Sequence, residues 1–272
     1  MKRLFSIFTS IAFFVSIVFL VSCKDDEMSD DLHGSGSSQI SSNNRTIHVG
    51  DVEFTMVFVE GGTFSMGGSS EQGSYDIEFP VHDVTLSGFY IGETEVTQAL
   101  WKEIMYTNPS FYKGDSLPVE SVSWDDCQEF IQQLNQRTGL LFSLPTEAQW
   151  EFAARGGNKS RGYIYSGSDN IADVAWYYEN SDEQPQEVKT LHPNELGLYD
   201  MSGNVLEWCS DWFGPYSEDD QVNPIGPSEA MYRVMRGGSC FGYAKYCRAS
   251  YRSYADQNGG YPNRGFRLAL LP

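Results

Sequence analysis

The sequence predicts a mixed α+β domain with little regular secondary structure. Three observations lead there. Runs of β-branched and aromatic residues, closed by glycines, open the domain. Three short amphipathic segments with helix-start signals follow. Beyond residue 156 the chain is mostly turn residues, aromatics and short apolar pieces. So long a stretch without regular structure is uncommon in a compact domain unless a function or a bound ion organises it.

The elements follow in order. Phe54–Val59 reads as a strand, and Gly61-Gly62 turns the chain into Thr63–Gly67. Val81–Tyr90 alternates roughly and ends near Gly92. Thr97 is placed to cap a helix running to about Met105. Ser123 starts a second helix, with Asp126 suited to its positive end; Trp124, Cys127, Phe130, Ile131 and Leu134 fall on one face, and Gly139 stops it. Thr146 and Gln149 form a capping-box pair for a third, which Gly156 ends.

The chain has 272 residues, with 37 Asp and Glu against 18 Lys and Arg, a formal net charge of −19. A phosphate-binding surface needs a basic face, so nucleic acid is excluded as the main partner. With 17 Phe, 16 Tyr and 6 Trp this is not a disordered acidic chain. His33, His48, His82 and His192 are scattered, with no zinc-like spacing.

Lys2 and Arg3 precede the apolar run Leu4–Val21, the pattern of a secretory signal. A spanning helix is the alternative. The run approaches the roughly 18–20 residues that requires, but Ser6, Thr9, Ser10 and Ser16 interrupt it. Leu20-Val21-Ser22-Cys23 resembles a bacterial lipobox, in which Cys23 is lipidated and becomes the mature N-terminus. Lys24-Asp25-Asp26-Glu27 looks like the signal that sends Bacteroidetes lipoproteins to the outer face of the outer membrane, with a solvated charge run as the plain alternative. Residues 1–22 are thus expected to be a signal peptide and 23–46 a lipidated N-terminus with a flexible Ser/Gly/Asn tether. One domain fills 47–272. Cleavage would remove Lys2 and Arg3 and no acid, leaving 16 basic against 37 acidic residues, or −21. Lipid, rather than charge, would then hold an outer-membrane lipoprotein to its membrane.

Several longer segments occur in order: Phe58–Gly67, Glu93–Thr97, Pro118–Trp124, Leu144–Glu151, Gly197–Trp208, Arg236–Ser239 and Gly265–Arg267. Together they resemble the sulfatase-modifying-factor family, the formylglycine-generating enzyme domain, over roughly residues 50–272. The resemblance implies a variant of the C-type lectin fold. It leaves function open, because some members oxidise a sulfatase cysteine with oxygen and copper held by two cysteines, others do different oxidative chemistry, and others look non-catalytic. Either a copper-dependent oxidase or a protein- or glycan-binding module is therefore expected.

Two regions bear on that choice. Cys240 and Cys247 lie where the enzyme carries its catalytic pair. Two thiolates suit Cu(I), and Lys245 and Arg248 are candidates to stabilise them. Six residues separate the two cysteines, whereas four do in the enzyme; aligned from Gly237-Gly238-Ser239, Cys247 falls on the second catalytic position and Gly242 on the first. A disulfide or a buried Cys247 are the alternatives, while Cys127 and Cys209 read as core cysteines. The other region is Asp200–Glu207. The resemblance implies a calcium site made by the side chains of Asp200 and Glu207 and the carbonyls of Gly203 and Val205, a donor set suited to a hard cation. The alternative is a tight turn with Glu207 in an ion pair. Trp176, Tyr177, Tyr178 and Trp212 are candidates for an exposed binding surface, or for core.

Overall fold

A computed structural model describes residues 44–69 and 73–272. The expected signal peptide, Cys23, the export signal and nearly all of the tether lie outside the described residues. Among those described, no helix is long and apolar enough to cross a membrane.

Strand β1 (Arg45–Val49) begins two residues before the expected domain start and pairs antiparallel with β2 (Val52–Val59). After β3 (Gly62–Met66) the chain makes β4 (His82–Leu86) and β5 (Phe89–Gly92). The stretch read as one strand is therefore two. Ser87-Gly88 separates them because they serve different sheets: β4 pairs with β3, and β5 with β2.

All three helices form where their caps predict. Helix α1 (Gln98–Met105) is capped by Thr97, whose hydroxyl accepts from Leu100 N–H. Helix α2 (Trp124–Thr138) has the Ser123/Asp126 box and ends at Gly139, with φ +72°. Helix α3 (Glu147–Ala154) has the Thr146/Gln149 box. Its Ala148, Trp150, Phe152, Ala153 and Ala154 are all buried, so apolar surface surrounds it. Two carboxylates are buried with them. Glu147 is held by Arg236 and Arg252, and Glu151 by Arg155 and Arg236.

Short strands complete the fold: β6 (Phe142–Ser143), β7 (Ala175–Trp176), β8 (Ser202–Gly203), β9 (Leu206–Trp212), β10 (Gln221–Val222), β11 (Arg233–Arg236), β12 (Arg252–Ala255), β13 (Arg264–Gly265) and β14 (Ala269–Leu270). The C-terminal β14 inserts between β5 and β6 in the five-stranded sheet β1-β2-β5-β14-β6. A second sheet, β12-β11-β9-β13, lies in the part of the sequence read as mostly turns. Its β9 buries Glu207, Trp208, Cys209 and Asp211 and lacks the alternation that marks a half-exposed strand. One large apolar cluster packs α1 and α2 on the first sheet. Another surrounds α3 and holds Trp150, Phe152, Leu198, Met201 and Val234.

Candidate functional site

The turn before β9 and the loop after β11 meet. Asp200 (φ +58°), Gly203 (φ +86°) and Asn204 (φ +53°) all have left-handed backbone, which twists Asp200–Val205 into a tight double turn. A side chain at Gly203 would place its first carbon 2.3 Å from the Trp176 carbonyl oxygen, so only glycine fits beside β7. Gly203 N–H donates to the Gly237 carbonyl (2.8 Å), and Cys240 N–H donates to the Asn204 carbonyl (2.8 Å), locking turn to loop.

Beneath the turn sits a cluster of buried charge. Glu95 accepts from Asn204 Nδ2 (2.8 Å) and Val205 N–H (3.1 Å). Arg267 grips Glu207 with two hydrogen bonds, at 2.6 and 2.7 Å, and Trp150 Nε1 adds a third at 2.7 Å. The ion pair expected as the alternative at Glu207 is thus present. Asp200 Oδ2 accepts from Lys189 N–H (2.8 Å), while its Oδ1 has no hydrogen-bond partner among the described residues. Burial pushes the Glu95 carboxyl well above its usual range, helped by Asp200 and Glu207. Burial also pushes Asp200 up to about 6, despite the opposing Lys189 N–H and Arg267.

Three buried carboxyl groups therefore share one buried guanidinium, and ionising all three would leave an excess of two negative charges. Uncompensated buried charge is costly. A hard divalent cation would suit the open Asp200 Oδ1 and the carbonyls of Gly203 and Val205, but both oxygens of Glu207 already accept from Arg267 or Trp150, so Glu207 would ligate only through an oxygen it shares with them. No three Asp, Glu, His or Cys side chains converge as a ligand group among the described residues. The expected set has only two such side chains and completes itself with carbonyls.

Cys240 and Cys247 are both free and fully buried, so the disulfide alternative does not hold. Cys247 packs with Ala175 and Tyr177. Its Sγ lies where a side chain on Gly238 would come within 2.8 Å. Burial pushes the Cys247 thiol up to about 12. It pushes Cys240 up as well, reinforced by Glu95. Burial thus disfavours the thiolate at both, the form that binds a soft metal or attacks. The cations expected to help are engaged elsewhere. Arg248 makes a two-pronged ion pair with Glu78 (2.7 and 2.8 Å), and Lys245 is exposed, 4.9 Å from the Tyr246 ring centre.

What the final loop presents to solvent is tyrosine. Tyr243 stands 53% exposed and packs on Tyr178 at 5.1 Å between ring centres. Tyr246 stacks near Tyr75 (6.4 Å) and contacts Tyr251 (5.1 Å). A groove of about 660 Å³ is lined by Ser74, Tyr75, Tyr246, Tyr251 and Tyr254. Of the aromatics predicted for a surface, Tyr178 is exposed. Tyr177 is core, and Trp212 lies half-buried under the Arg233 guanidinium at 3.5 Å. The spacing of Tyr243, Tyr246, Tyr251 and Tyr254 was the available signal for this face. Tyr75 comes from a distant segment and could not be placed with them.

The family model described as "Sulfatase-modifying factor enzyme 1-like domain" matches residues 49–271. The chain belongs to this family. Among curated relatives, the chaperone protein LppX of Paenibacillus barcinonensis is 34% identical, with 78% of this chain and 88% of that one aligned. The formylglycine-generating enzyme of Streptomyces coelicolor is 31% identical over the same shares. Among solved structures, Treponema denticola variable protein 1 superposes with a TM-score of 0.79 at 33% identity, covering 85% of this chain and 99% of that one. PvdO from Pseudomonas aeruginosa shares the fold, with a TM-score of 0.69 at 24% identity, covering 84% of this chain and 98% of that one. The family domain here thus has the expected variant of the C-type lectin fold.

Proposed function

We propose that this chain is a calcium-stabilised, non-catalytic module that binds a protein or glycan, carried by an outer-membrane lipoprotein facing the periplasm or the cell surface. The observation that carries the non-catalytic reading is the burial of both final-loop sulfurs, which disfavours their thiolates. Tyrosines are common at binding surfaces because they bring large, rigid, amphipathic contact area at low entropic cost. The exposed tyrosine face beside those sulfurs is the surface this reading assigns to a partner. Asp200, Gly203, Val205 and Glu207 would hold calcium and fix the turn that supports the loop.

A thiol-alkylating reagent is expected to leave Cys240 and Cys247 unmodified in the native protein and to label both in denaturant. The copper-loaded protein is expected to leave a sulfatase-motif peptide unchanged in mass. Rapid native labelling with a mass change lost in Cys247→Ser would establish the rival reading, a formylglycine-generating oxidase using Cys240 and Cys247. Its support is the relatives named formylglycine-generating enzyme.

The anchor has its own test. Cys23→Ala is expected to release the full chain from the membrane fraction. Retention there would mean that the segment at Leu4–Val21 holds the protein instead.

A further inference from the structure

The tyrosine face leaves a second concavity unexplained. A cavity of about 500 Å³ opens beside the N-terminus of α3, and Asp211 lies in its wall. Asp211 is only 4% exposed. Its Oδ2 is saturated, accepting from Glu147 N–H (3.0 Å) and the Ser210 hydroxyl (2.9 Å). Its Oδ1 has no hydrogen-bond partner among the described residues, and nearby Gly226 lacks a side chain that would crowd it. Arg252, the guanidinium in the wall, is directed at Glu147 rather than at Asp211. It spends its donors on Glu147 (2.6 and 2.8 Å) and the Ile77 carbonyl (2.8 Å). The group left open is therefore an acceptor oxygen that no cationic side chain hydrogen-bonds among the described residues.

The rest of the wall suits a cation on an apolar stem. Met66, Trp212, Pro224 and Ile225 contribute apolar surface. Ser217 and Gln221 line the cavity, and the three residues between them in sequence, Glu218, Asp219 and Asp220, are exposed.

We propose that this cavity receives a lysine or arginine side chain of a protein partner, with the charged head on Asp211 Oδ1 and the methylene stem along the apolar wall. Long basic side chains bury their stems against such surfaces while the head keeps a polar partner. A charge-assisted hydrogen bond in a sheltered site is strong. The exposed acids of the segment between Ser217 and Gln221 and the chain's net charge of −19 would steer a basic partner towards it. Burial pushes the Asp211 carboxyl up to about 7, with Glu147 adding to the effect and the Arg252 charge opposing it only in part. This cavity shares the Arg252 wall with the tyrosine groove but is built on Asp211, which does not line that groove, and would bind whether or not the tyrosine face does.

Calorimetric titration of the full chain with acetyl-pentalysine amide, in about 0.15 M salt to screen diffuse attraction, tests it. Saturable binding is expected, weakened at least tenfold in Asp211→Asn and abolished when the lysines of the peptide are acetylated. Changing Glu218, Asp219 and Asp220 together to their amides alters only exposed side chains, so it reports even if Asp211→Asn unfolds. It is expected to weaken binding several-fold. Tyr243→Ala is expected to bind pentalysine as the parent does, which separates this site from the proposed tyrosine surface. Equal binding by parent and a folded Asp211→Asn variant, equal binding of the acetylated peptide, or no effect of the three amide changes would overturn the proposal.

Discussion

Replacing Arg236 with alanine is expected to cost about 3–5 kcal/mol of folding stability, the usual effect of orphaning a buried ionic partner. Arg236 is fully buried and donates to Glu147 (2.8 Å), Glu151 (2.5 Å) and the Ala249 carbonyl (2.8 Å). Its removal leaves two carboxylates buried in α3 with less positive charge than they need. Arg236→Lys is expected to recover only part of the loss, because an ammonium cannot reach both acids in the same plane. Urea unfolding reads the change as a lower midpoint at constant slope. A loss below about 1 kcal/mol, the scale of an exposed ion pair, would show that the network contributes little.

The same network predicts an acid dependence. Burial alone would raise the Glu151 carboxyl, but the guanidinium groups of Arg155 and Arg236 outweigh it and hold it at about 2, below its ordinary 4.5. A carboxylate lowered in the folded state stabilises the fold above its unfolded pKa, and that stability is lost as pH falls through the folded value. The parent should therefore lose stability between about pH 4.5 and 2. Arg236→Ala should lose less over that window, so the gap between the two is expected to narrow in acid.

Calcium removal is expected to have the second large effect. A ligand present at about 100 times its dissociation constant stabilises the folded state by about 2.7 kcal/mol. For a domain of this size that is a melting shift of roughly 5–10 °C. A chelator is expected to lower the melting temperature by that order, and Asp200→Asn to abolish the response. Asp200 is the better probe than Glu207. Glu207→Ala would also strand the buried Arg267, and its destabilisation would mask the loss of calcium. Identical melting curves with and without chelator would remove calcium from the proposal.

The helices were legible because their signals are local. Thr97, Ser123 and Thr146 each cap within three residues, and Gly139 supplies the left-handed stop for α2. The sheet β12-β11-β9-β13 was not legible, since its strands are short, β9 is largely buried, and their partners lie far apart in sequence. At the candidate site the residue types could be read in advance, whereas their partners could not. Nothing near Glu207 in sequence announces Arg267, 60 positions away, as the group that grips it.

By itself the sequence determined the family, the mixed α+β class, the caps of all three helices and the acidic character of the chain. These follow from ordered motifs, from hydrogen bonds closed within one turn, and from composition. Only the tertiary structure decided whether the two final-loop sulfurs are bonded, exposed or buried, because burial is set by what packs over a residue. The same holds for Asp211. As one acid among 37 it carried no signal in the sequence. It became a candidate site when the fold closed a cavity around it and left one of its oxygens without a partner.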